Sequence, residues 1–202
     1  MAFAAFEVKS DYETWGFYAE DNAAGVARLS PEQFAEQVAR VRAERPNAIV
    51  VAYPHWGSNY RWRSRSQRDA GRALIDAGAD LVIGHHAHTL QEADRYKGRW
   101  IFFGIGNFVF NAPGRFADNP EVLPYGLAIE LELHPEGLAQ TLVRAFPIFS
   151  DNRRTAYRPR LAASAEADQV FARWLTESEL TDHRLVRRAD DAVGPALEFR
   201  MR

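Results

Sequence analysis

The sequence contains no cysteine. That excludes disulfides, thiolate zinc sites and a cysteine nucleophile, and it leaves the redox compartment open. Lysine is scarce; arginine far outnumbers it, but the arginines are scattered and form no basic run. With a net charge of −2 and a pI near 6.3, bulk electrostatics gives no basis for binding nucleic acid or a membrane surface. No apolar run approaches the ~20 residues that a membrane span needs. The first residues, MAFAAFEVKSDY, are apolar for only six positions and carry no basic n-region. They read as a strand and not as a signal peptide. Histidine is also sparse. Of six in the chain, three fall within the four positions His85 to His88.

What is present describes an ordinary globular chain. Hydrophobic residues make up 47% and charged residues 26% of 202 positions, enough for one domain with a sizeable core. After the opening strand, Ser30 and Pro31 start a helix, with Gln33 placed to complete a capping box. Phe34, Val38 and Val41 recur at helical spacing, and Pro46 ends the segment. The run AIVVAY (48–53) is continuous, apolar and β-branched, as expected of a strand covered on both faces. A second helix is predicted across SQRDAGRALIDAGAD, with Ala70, Ala73, Leu74 and Ala77 on one face and Gly78 as its stop. LVIG (81–84) is another buried strand, and RWIFFGIGNFVF a further one. Beyond Pro113 the alternation in YGLAIELELHPEGLAQTLVRAFPIF predicts an antiparallel hairpin turning at HPEG. SAEADQVFARWLTES predicts a helix, and the tail reads as irregular or as an edge strand.

The two apolar strands and the helix between them form a β-α-β unit, whose strands are parallel and adjacent. His55 just past the first strand and His86 and His88 just past the second therefore meet at the carboxyl edge of the sheet, where open α/β sheets place ligands. In an extended segment His86 and His88 point the same way and His85 the opposite way. That makes His55, His86 and His88 candidate metal ligands, since imidazole suits divalent ions such as zinc and iron. His85 is read as support from behind, and His134 and His183 as surface residues. Asn107 sits between glycines in GIGNF, which leaves two readings, cleft lining or a fixed turn. Trp56 and Tyr60 read as packing. Arg61, Arg63 and Arg65 are candidate contacts for an anion. Asp80 reads as a turn contact.

The motifs HWGSNY, QRDAGRALIDAGADLVIGHHAHTLQ and YKGRWIFFGIGNFVF, in this order and spacing, resemble the CapA family of poly-gamma-glutamate (capsule) biosynthesis proteins. That family is related to the calcineurin-like metallophosphoesterases. The resemblance runs from about Ala2 to Phe149 and is densest from His55 to Phe110. It implies an α/β fold, a metallophosphoesterase-like sandwich, with a dinuclear site at the carboxyl ends of the strands. His55 and His86 would sit on one metal and His88 on the other. It also implies a metal-dependent hydrolase of phosphoesterase type where the site is complete, and members that are often exported or membrane-associated.

The departures narrow this expectation. Asn59 stands where the family usually has an acidic residue. The family's early aspartate, glutamate and asparagine motifs have no recognisable equivalent; Asp11, Asp21 and Asn22 do not lie at a strand end. The chain therefore reads as the C-terminal half of a two-half fold, with 1–150 as the half-domain and 151–202 as a helix and tail packed on it. Without bridging carboxylates, two cations would be poorly neutralised. The expectation is one divalent ion, zinc, manganese or iron. Asn107, Asn59 and Arg61 are the candidate contacts for an anionic polymer or phosphoester. A separate N-terminal half or a second copy of the chain is the expected partner at the open sheet edge.

Overall fold

A computed structural model describes residues 1–134, 141–180, 186–190 and 193–200. The elements run β1 (Ala2–Phe6), α1 (Ser10–Thr14), α2 (Pro31–Glu44), β2 (Val51–His55), α3 (Arg65–Asp76), β3 (Leu81–Ile83), β4 (Ala93–Tyr96), β5 (Arg99–Phe102), β6 (Tyr125–Glu132), β7 (Leu142–Phe149), α4 (Asn152–Thr155), β8 (Arg160–Leu161), α5 (Ser164–Glu177), β9 (Val186–Asp190) and β10 (Pro195–Arg200). They build an α/β sandwich of two five-stranded sheets, ordered β1-β2-β3-β5-β4 and β6-β7-β10-β9, with β8 on β7. In the first sheet β1, β2, β3 and β5 are parallel, and β4 returns antiparallel to β5.

The strand period of two sorts side chains between the faces of the first sheet. Val51, Leu81, Ile83, Trp100 and Phe102 face the second sheet and α5. Val50, Ala52, Val82, Ile101 and Phe103 face α2 and α3. Both faces are covered, which is why these strands read as unbroken apolar runs. Asp80 ties the layers together from beneath. Its Oδ2 accepts from the Val50 N–H at 2.9 Å and from Arg42 at 2.6 Å.

The helices form where their caps and faces direct them. Ser64 Oγ accepts from the Gln67 N–H, and Gln67 Oε1 accepts in return from the Ser64 N–H, a complete capping box on α3. On α2 only the forward arm is made: Ser30 accepts from the Gln33 N–H and turns its own hydroxyl to Glu32. The buried face of α3 is rotated from the expected one, with Gln67, Gly71, Leu74 and Ile75 inward. A side chain at Gly71 would meet Ile101 at 3.1 Å and Phe103 at 3.2 Å, so the helix sits close on the sheet. Gly78, at φ +105°, stops it as expected.

Two strands depart from the sequence reading. β4, a polar segment, pairs with β5 through a Lys97-Gly98 turn in which both residues have positive φ. The tail, expected to be irregular or at an edge, supplies β10, which lies between β7 and β9 and is buried along most of its length. Its one inward charge, Glu198, is held by Arg144 at 3.1 Å. The expected hairpin is β6–β7, in register from Tyr125 on Phe149 to Glu132 on Leu142. Its HPEG turn, apart from His134, lies outside the described residues, as does His183.

Gly84 links β3 to the histidines and has no room for a side chain. A Cβ there would lie 2.2 Å from the Phe103 carbonyl oxygen and 2.3 Å from Trp56 Nε1. Gly84→Ala is expected to cost at least about 1–3 kcal/mol, as overpacking does, read as a lower urea midpoint. An unchanged midpoint would contradict this packing.

Candidate functional site

The parallel register brings the candidates together. Val51 pairs with Leu81 and Ala52 with Val82, and the pairing continues past the strand ends as a bridge between His55 and His85. The Trp56 N–H donates to the His85 carbonyl at 3.1 Å, and the His85 N–H to the Pro54 carbonyl at 3.0 Å. Four imidazoles converge at this edge. The His55 ring lies 4.7 Å from His85 and 4.3 Å from His86, and His86 lies 6.1 Å from His88, centre to centre.

The segment is not extended, so the simple alternation expected for it does not hold. His86 has φ +101° and His88 φ +60°, and Tyr60 opposite has φ +54°. Each costs of order 1–3 kcal/mol where no glycine relieves it. Three such residues at one strand-end junction mark it as a place where the surrounding structure dictates backbone shape. The bridge between them brings His85 into contact with His55, with Nδ1 of one 3.1 Å from Nδ1 of the other. His85 also stacks on Tyr53 at 4.4 Å and His55 on Phe6 at 4.1 Å.

Burial is the main cause that lowers the pKa of His55 to about 3, with His86, His85, Lys9 and His88 adding to it. Burial likewise lowers His86 to about 4, helped by Lys9, His88 and His85, and it pushes His85 down. These rings are neutral at neutral pH and keep a lone pair each, which suits a borderline divalent cation. Among the described residues, however, no three His, Asp or Glu side chains are placed to enclose one ion.

The other candidates divide. Asn107, buried, meets His88: its Oδ1 is 2.8 Å from Nδ1. Tyr60 stacks on the far side of His88 at 5.8 Å, beneath the Arg115 guanidinium. Its N–H donates to the Ala87 carbonyl at 2.7 Å. Trp56 and Tyr60 are both buried. Asn59 is exposed in the turn before Tyr60. Arg61 pairs with Glu121 at 3.0 Å, while Arg63 and Arg65 lie near Glu92 and Asp69. Asp11, Asp21 and Asn22 are exposed.

Sequence reasoning passed over Glu7 and Lys9. They follow β1, whose last residue, Phe6, pairs with His55. The Glu7 carboxylate accepts from the Gly57 N–H at 2.8 Å, and Lys9 donates to the Gly57 carbonyl at 2.6 Å. Lys9 is the nearby cation that acts on His55 and His86. The signal was available, because a third parallel strand ends at the same edge.

Comparison with known proteins places these residues in one family. Residues 2–112 match the family model described as Bacterial capsule synthesis protein PGA_cap. The PGA biosynthesis protein CapA of Bacillus subtilis is 40% identical over 103 residues, which is 50% of this chain and 27% of that protein. The capsule biosynthesis protein CapA of Bacillus anthracis is 38% identical over 90 residues, 43% of this chain and 22% of that protein. A probable polyglutamine synthesis accessory protein of Mycobacterium tuberculosis is 37% identical over 72 residues, 35% of this chain and 19% of that protein. The matched stretch thus spans about a quarter or less of these relatives. It contains His55, His85, His86, His88 and Asn107.

The depressed pKa values have a pH consequence for chelator-treated protein. An unfolded histidine takes up its proton near pH 6.5, whereas folded His55 and His86 do so only near 3 and 4. The unfolded state therefore binds more protons as pH falls below about 6.5, and stability declines. Urea midpoints are expected to drop between pH 6.5 and 5, above the carboxylate range, and His55→Gln should flatten the decline. Midpoints level across that window would contradict the burial of neutral rings.

Proposed function

This chain belongs to the PGA_cap family of bacterial capsule synthesis proteins, and we propose that it serves poly-gamma-glutamate capsule biosynthesis through a divalent-cation site built on His55, His86 and His88. The single observation that carries this reading is the convergence of neutral imidazoles at the carboxyl edge of the first sheet, inside the stretch that matches the family. A bound cation would supply a Lewis acid for an anionic oxygen of the polymer or of a phosphoester. The chain's own residues hold the imidazoles in place, exclude water on the Phe6 and Tyr60 sides, and add the positive charge of Lys9. The names of the Bacillus and Mycobacterium relatives support the polymer assignment.

Among the described residues no three His, Asp or Glu side chains enclose an ion by themselves, which favours one ion over two and binding over turnover. Anionic ligands for the open side would come from outside these elements, through further chain or a second copy beside β1, the outermost strand of its sheet. Asn59 and Arg61 remain candidate substrate contacts on the adjoining loop.

Calorimetric titration of the chelator-treated protein with zinc and with manganese tests this. About one ion per chain is expected, and His86→Ala should weaken binding by about 100-fold or more, above the usual effect of losing an outer partner. No binding, or equal affinity in the variant, would contradict the site. A second measurement separates binding from turnover. Retention of polyglutamate by the metal-loaded protein, lost with chelator and without release of product, is the expected result. Metal-dependent hydrolysis of a phosphodiester by this chain alone would overturn the binding reading.

A further inference from the structure

Two hydrogen bonds at the site involve the Nδ1 atoms of rings assigned as ligands, and a neutral imidazole cannot make both an Nδ1 and an Nε2 lone pair available while donating from Nδ1. The tautomer of each ring decides which nitrogen is left to bind a cation. In metal sites that choice is set by the group bonded to the other nitrogen.

At His88 the partner is Asn107. Its Oδ1, 2.8 Å from Nδ1, is a carbonyl oxygen and only accepts. Nδ1 therefore carries the proton and Nε2 the free lone pair. Asn107 is buried, its backbone carbonyl oxygen lies where a Cβ on Gly126 would come within 2.3 Å, and Tyr60 stacks on His88. Asn107 Nδ2 is buried without a hydrogen bond of ordinary geometry. It is near enough to the Tyr60 hydroxyl to favour its ionised form, against the larger effect of burial, which raises the Tyr60 pKa. A buried amide nitrogen turned to the Tyr60 hydroxyl is poorly placed to grip a substrate oxygen. That argues for a residue acting through His88 and not on the substrate.

At His55 the partner is His85, Nδ1 to Nδ1 at 3.1 Å. At that separation one Nδ1 donates and the other accepts, so the bond gives the two rings opposite roles. His55 is the ring packed on His86. His85 stacks on Tyr53 instead. We propose that His85 and Asn107 are positioning residues that hold His55 and His88 as Nδ1–H tautomers, leaving Nε2 as the free lone pair on both rings, with His85 itself protonated at Nε2. The use of those lone pairs for a cation, and the choice of His55 over His85 as the Nδ1–H ring, rest on the reading above; the His88 tautomer rests on the Asn107 bond alone.

Long-range proton–nitrogen correlation spectra of ¹⁵N-histidine protein, chelator-treated and at neutral pH, read the three tautomers directly. Single His→Gln variants assign the signals. The expected pattern is Nδ1–H for His55 and His88 and Nε2–H for His85. In Asn107→Leu the His88 signal should leave the pure Nδ1–H pattern, and in Asn107→Asp, which keeps an acceptor oxygen, it should stay. His85→Phe should release His55 in the same way, with His88 unmoved. Zinc affinity should fall by about 10- to 100-fold in Asn107→Leu and be restored in Asn107→Asp. An Nε2–H His88 in the wild type, as the opposite orientation of the Asn107 amide would give, overturns the proposal, as does an Nε2–H His55. The wild-type spectrum is decisive even if a variant fails to fold. Expected tautomers without zinc binding would overturn the cation site and leave the positioning assignment standing. Zinc binding with the opposite tautomers would do the reverse.

Discussion

The parallel pairing of β2 with β3 is the constraint on which the site depends. Val51 on Leu81 and Ala52 on Val82 set the register. Three residues beyond, the same register delivers His55 beside His85. A slip of one residue would exchange the two faces of the strand and place Val82 where Leu81 and Ile83 belong, between the sheets. Burial on both faces makes that slip expensive, so the core that holds the strands together also holds the imidazoles together. Gly84 is the hinge of the arrangement. It lets the chain pass between the Phe103 carbonyl and Trp56 before turning into the histidines.

Electrostatics follows from that geometry. The imidazole cluster packs against aromatic rings, and the charge that bears on it from outside, Lys9, is itself a cation, paired with Glu7 at 3.2 Å. Protonating His55 or His86 would place a charge in a half-buried, low-dielectric corner beside like charges. Both therefore stay neutral well below the usual histidine range. Neutral rings with lone pairs are what the proposed cation site requires, and the positive φ values at His86 and His88 show a junction whose backbone shape is dictated by its surroundings.

Much of this was legible in the sequence, and the rest was not for identifiable reasons. The strands carrying His55 and the 85–88 cluster announce themselves as apolar runs because both of their faces are buried, and the β-α-β rule brings their ends together. β4 and β10 were missed or misplaced because their polar side chains are compensated by partners far along the chain, Asp94 by Arg72 and Glu198 by Arg144. Periodicity cannot see such partners. At the site, convergence was legible but loop shape was not. An extended His-x-His predicts His85 turned away, whereas the pairing of His55 with His85 sets the two rings together, and His86 and His88 leave the extended conformation. The Asn107–His88 bond depends on the path of a loop that the flanking glycines permit but do not specify. Glu7 and Lys9 were legible in principle, as the residues that follow the third parallel strand.

The account's central claim is that the histidine cluster is the imidazole side of a cation site. The most direct measurement is X-ray absorption at the metal edge of protein loaded with one equivalent of zinc or cobalt. Imidazole ligands scatter through their rings and leave a signature that oxygen ligands lack. The account predicts two or three imidazoles on the ion, reduced by one in His55→Ala and again by one when His86→Ala is added. An all-oxygen shell, or an imidazole count unchanged by these substitutions, would contradict it.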